Sequence, residues 1–129
     1  GVDSLHSVEE AAEAATVLAE ELSTTLAITG AVDLVTDGSR VVRVANGHPL
    51  MGYVTDPVCP DTVVIGAFLA VNDEPLSATA TALAYFGLAG EVAGRHADAP
   101  GSFMIQMIDA LYNITPEVLK AGCKIEANG

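Results

Sequence analysis

The chain has 129 residues, the span of one domain by the usual measure of roughly 100–200 residues each. Half of it is apolar at a mean hydropathy of +0.42, which excludes intrinsic disorder. A formal charge of −12, with Arg40, Arg43, Arg95, Lys120 and Lys124 scattered along the chain, excludes a nucleic acid or an anionic membrane as partner, because neither finds a basic face.

Ser7 and Glu10 form a capping box, and Val8, Ala11, Ala12, Ala15, Leu18, Ala19 and Leu22 follow helical spacing, so the chain opens on a helix. Glu9, Glu10, Glu13, Glu20 and Glu21 read as its solvated side. Three short β-prone runs come next: Leu26–Ile28, Val32–Val35 and Arg40–Val44. Asp37-Gly38 joins the last two as a hairpin, since that pair tolerates positive φ. Asn46-Gly47-His48-Pro49 then opens an irregular loop that runs to Cys59-Pro60.

Pro60 suits the first position of a helix through Val71, and Asn72-Asp73-Glu74-Pro75 is a turn into a long Ala-rich helix over 76–97. Gly87, Gly90 and Gly94 within that helix would let another backbone approach, or would break it near Gly87. Ala99-Pro100 starts a further helix, with Phe103, Met107, Ile108 and Leu111 on its apolar stripe. Thr115-Pro116-Glu117 starts a last short one ending near Gly122. The order α–β–β–β–α–α–α–α predicts a layered α/β domain with a mixed sheet.

Two uncharged stretches, between Asp61 and Asp73 and between Glu74 and Glu91, are too short and too rich in Gly, Ser and Thr for a membrane span of about 20 residues. They read as helices covered on most sides, which a domain this small covers only with help from outside itself. The two cysteines, Cys59 and Cys123, stand far apart without a metal-binding spacing, so a reducing cytoplasm is the default and no metal site is expected.

Thr29-Gly30-Ala31-Val32-Asp33, Thr36-Asp37-Gly38 and Val44-Ala45-Asn46-Gly47-His48-Pro49-Leu50-Met51 resemble the C-terminal half of hydroxyethylthiazole kinase. Ala70-Val71, Phe86-Gly87, Pro100-Gly101-Ser102-Phe103 and Asp109-Ala110-Leu111-Tyr112-Asn113 extend the resemblance to nearly the whole chain, 1–129. It implies a partial ribokinase-like layered fold and ATP- and Mg²⁺-dependent phosphorylation of a thiazole's hydroxyethyl group in thiamine salvage. It also implies a homo-oligomer, or completion by the N-terminal half of a family about twice this length.

By the same resemblance Thr29 contacts nucleotide phosphate and Gly30 belongs to the nucleotide site. A Thr-Gly-Thr-Gly-Cys motif forms the anion hole, its cysteine beside the substrate hydroxyl. Thr55 and Cys59 match the ends of that motif, giving Thr55 to the nucleotide and Cys59 to catalysis, while Asp56 takes the place of a substrate-side glycine.

Between Thr55 and Cys59 stand Asp56, Pro57 and Val58 instead of Gly-Thr-Gly. Val58 disfavours the backbone conformations that glycine allows, Pro57 has no N–H to donate, and Asp56 repels a phosphoryl group. The expectation is a hydroxyethylthiazole-kinase-like chain that is inactive alone. The alternative is a non-catalytic nucleotide- or small-ligand-binding or assembly module on the same scaffold. Cys59 as an activated thiol at a helix start competes with an inert buried cysteine, and His48, before a proline, reads as fixing its loop.

Overall fold

The computed structural model describes residues 2–54 and 60–128, with the side chains of all of these except 2–6 and 60–63. Helix α1 spans Val2–Leu22. It begins upstream of the capping box, leaving Ser7 inside the helix. No Gly or Pro interrupts 2–22, so nothing forces a start at Ser7. Its end is a left-handed residue: Ser23 has φ 52°, Ser23 N–H donates to Glu20 O and Thr24 N–H to Ala19 O. This is the paired-bond ending usually given to glycine.

Four strands follow the order β1-β2-β3-β4: β1 Leu26–Ile28, β2 Asp33–Thr36, β3 Val41–Val44 and β4 Ile125–Asn128. Every pairing is antiparallel, with Ile28 opposite Leu34, Val35 opposite Val42 and Arg43 opposite Glu126. The expected mixed sheet is thus corrected among the described residues. Connections as short as those between β1, β2 and β3 reverse the chain, whereas a parallel neighbour needs a long crossover. Strand β4 was not foreseen at all.

The β2–β3 hairpin is built on Asp37, whose carboxylate accepts from Ser39 N–H at 3.0 Å and Arg40 N–H at 2.9 Å. Gly38 takes φ 96°, and a Cβ there would lie 2.9 Å from Glu20 Cα on α1. Glycine is therefore required for conformation and for space. Arg40 joins the tip to Asp37 at 2.9 Å and to Glu74 at 2.7 Å. Backbone donation from Arg40 and Ser39, then the Arg40 guanidinium, hold the Asp37 carboxyl down at about 2.

Four helices complete the chain, each beginning on a proline: α2 Pro60–Val71, α3 Pro75–Gly94, α4 Pro100–Asn113 and α5 Pro116–Gly122. Proline suits this position because its missing N–H would have no partner in the first turn. Helix α3 is continuous through Gly87, with 13 of its 20 residues buried, which makes it the central helix. On one side it closes a core with Val35, Val42 and Val44 of the sheet; on another, a second core with Phe103, Met107 and Ala110 of α4.

Helix α1 covers the opposite sheet face with Ala12, Ala15 and Ala19. Small residues at that spacing bring the helix close to Leu34 and Thr36, both buried. Of the two uncharged stretches, α3 is covered by this chain itself, while α2 leaves Leu69 and Val71 exposed. Among the described residues no helix is long and apolar enough to cross a membrane.

Candidate functional site

The loop after β3 is pressed into a groove that glycine makes in α3. A Cβ on Gly87 would lie 2.4 Å from Asn46 O, one on Gly90 2.3 Å from Met51 Sδ, and one on Gly94 2.3 Å from His48 Cδ2. Three small residues on one helix face therefore admit the segment from Asn46 to Met51, the close approach expected from their spacing. His48 fixes the segment's turn: its Nδ1 accepts from Leu50 N–H at 3.1 Å and caps the 3₁₀ stretch Pro49–Tyr53. Its ring stacks on Phe103 with centroids 5.4 Å apart. This is the loop-fixing role read from the sequence.

On its other side this segment faces the turn after β1. A cavity of about 600 Å³ lies between them, lined among others by Thr29, Gly30, Asp33, Asn46, Met51 and Phe86. Its size suits a small-molecule ligand, for which pockets of about 300–1,000 Å³ are usual. Gly30 N–H donates to Asp33 Oδ1 at 2.9 Å, which shapes the Thr29–Asp33 turn. No Lys or Arg lines the cavity among the described residues, and Asp33 brings a carboxylate to it.

Thr29 and Gly30, assigned to the nucleotide by resemblance, thus share this cavity with the Asn-Gly-His-Pro loop. Thr55, Asp56 and Cys59 lie outside the described residues, so the structure places none of them. Two residues of the site were not singled out from the sequence. Asp33 looked like a strand residue, and Asn46 like turn punctuation. Yet Asn46 is 5% exposed, a burial that an asparagine keeps only when its amide is bonded. Cys123 packs, partly buried, at the edge of the first core. Among the described residues no group of three or more His, Cys, Asp and Glu could hold a metal ion.

The hydroxyethylthiazole kinase family model matches residues 1–117. The chain is 60% identical over 126 residues to the hydroxyethylthiazole kinase of Desulfotalea psychrophila, covering 98% of this chain and 46% of that protein. It is 50% identical over 127 residues to that of Cereibacter sphaeroides, covering 98% and 48%. The solved hydroxyethylthiazole kinase of Pyrococcus horikoshii OT3 superposes with a TM-score of 0.89 at 44% identity, covering 96% of this chain and 48% of that one. The chain spans about half the length of the curated relatives it matches. By sequence and by fold, this chain belongs to the hydroxyethylthiazole kinase family.

Proposed function

We propose that this domain, the counterpart of the family's C-terminal half, forms a nucleotide-facing part of a hydroxyethylthiazole kinase, and that these 129 residues on their own do not transfer phosphate. The supporting observation is the shared cavity: Thr29 and Gly30 meet the Asn46–Gly52 segment around one space of about 600 Å³. ATP is the donor in this reading and the hydroxyl of a hydroxyethylthiazole the acceptor. By the family resemblance Thr29, Gly30 and Thr55 serve the nucleotide, Cys59 serves catalysis and Asp56 takes a substrate-binding position. The Mg²⁺ of such a reaction would arrive on the nucleotide's phosphates, which is how that ion is usually held.

Two features argue against turnover by this chain alone. Phosphoryl transfer depends on positioning and on stabilising developing charge, and no cation lines the cavity among the described residues. Asp56-Pro57-Val58 adds a negative charge and removes an amide donor where the resemblance puts Gly-Thr-Gly. Loss of one such donor alone costs about 10²–10³ in rate. The cation-free lining also favours the second reading, a non-catalytic binding module that keeps the scaffold. A cytoplasmic setting and self-association through exposed apolar side chains complete the proposal.

An ATP-coupled hydroxyethylthiazole phosphorylation assay tests the catalytic half, with no turnover expected from the isolated chain. Calorimetry with ADP tests the nucleotide half: heat at one site per chain is expected, and its absence leaves only an assembly role.

A further inference from the structure

Between the two outer glycines that admit the loop, α3 carries one charged side chain. Gly87, Glu91 and Gly94 stand four and three residues apart and so share a helix face. The Glu91 side chain is only 16% exposed, and both its oxygens are used. Oε2 accepts from Asn46 Nδ2 at 2.6 Å, and Oε1 accepts from Lys124 Nζ.

Asn46 gives its other amide hydrogen bond to Gly122 O at 3.0 Å and receives Lys124 N–H on Oδ1 at 2.7 Å. Ala45 N–H donates to Lys124 O at 2.9 Å. One carboxylate thereby ties together α3, the head of the cavity loop and the chain between α5 and β4. Glu91 is not among the cavity's lining residues, whereas Asn46 is. Taking away the acceptor would leave the Asn46 amide underbonded in a place that water barely reaches, which is the costly way to lose a hydrogen bond.

We propose that Glu91 is a positioning residue for the cavity, acting through Asn46 to hold the Asn46–Gly52 segment as one of its walls. This deepens the nucleotide reading and rests on it. The glycines make room for the loop, and Glu91 selects one conformation within that room.

The test compares Glu91→Met, which keeps length but removes both acceptors, with Glu91→Gln, which keeps one for Asn46. Lys124→Met, which removes the exposed partner, is the control. ATP affinity is measured by calorimetry, and amide exchange is followed at Leu50 and Val54, whose N–H groups bond within the loop to His48 Nδ1 and Met51 O. Glu91→Met is expected to weaken ATP about tenfold and to speed exchange at both amides by a similar factor, with the β2–β3 ladder unchanged.

Glu91→Gln should recover most of both effects, and Lys124→Met should stay near wild type. Wild-type affinity and loop exchange in Glu91→Met would overturn the proposal. So would faster exchange spread evenly over the β2–β3 ladder, or a Glu91→Gln no better than Glu91→Met. A wild type that binds no ATP, with the loop still responding selectively, supports Glu91's hold on the loop and rejects the nucleotide reading instead.

Discussion

At the scale of single residues, the glycines of α3 are the strongest constraint in the molecule. A methyl group at Gly87 meets backbone, Asn46 O at 2.4 Å and Asn46 C at 2.6 Å, and backbone pinned by the Asn46 network cannot retreat. Gly87→Ala should therefore lose about 2–3 kcal/mol in urea unfolding, the upper range for overpacking. Gly90→Ala meets the flexible Met51 side chain and should cost less. Gly66→Ala on α2, with nothing within 4 Å of the new Cβ, should gain about 0.5–1 kcal/mol from helix propensity. Reversal of that order would contradict the close approach of loop to helix.

Asp37 gives a prediction in pH. Its carboxyl is lowered from 3.8 to about 2, so the folded state favours the ionised form. The stability it contributes is complete above 3.8 and is lost as the pH falls through about 2. Acid titration of Asp37→Asn, followed by circular dichroism, should show a shallower loss in that window than wild type. The close approach at the three glycines was legible because helical glycine has few other uses. The burial of Asn46 was not, because its partners lie on α3, at the last residue of α5 and just beyond it, far away in sequence.

At the scale of elements, the proline starts of α2 to α5 and the Asp37-Gly38 hairpin were legible, being local rules with local residues. What escaped depends on distant partners or on an unusual residue. Strand β4 has no buried position and gains its place only by pairing with β3, so its own pattern announces nothing. The last residue of α1, Leu22, agrees with the helical spacing; what escaped is the form of the ending, because a serine, not a glycine, takes the left-handed position. That choice has a measurable consequence. Ser23→Gly relieves a conformation that costs an L-residue about 1 kcal/mol and should raise the thermal midpoint. An unchanged or lower midpoint would mean that the serine side chain compensates in full.

At the scale of the whole molecule, the family was legible in short motifs. Helix α4 buries Phe103, Met107 and Ala110 while Met104, Ile105, Ile108 and Tyr112 stand 47%, 63%, 61% and 89% exposed. Apolar surface of this kind on one helix favours association. Sedimentation should find self-association that Ile108→Glu weakens, and a monomer at all concentrations would remove that part of the proposal.

The central proposal is narrower: the cavity receives a nucleotide, and Asp56-Pro57-Val58, standing where the family resemblance puts Gly-Thr-Gly, leaves its terminal phosphate without a cradle. Calorimetric titration with ATP and with ADP, on the wild-type chain and on Asp56→Gly/Pro57→Thr/Val58→Gly, tests it most directly. The wild type should bind the two nucleotides within about threefold of each other, and the triple variant should shift the preference toward ATP by about tenfold or more. A wild type that already prefers ATP by about a hundredfold, undiminished or unimproved by the triple substitution, would contradict the account.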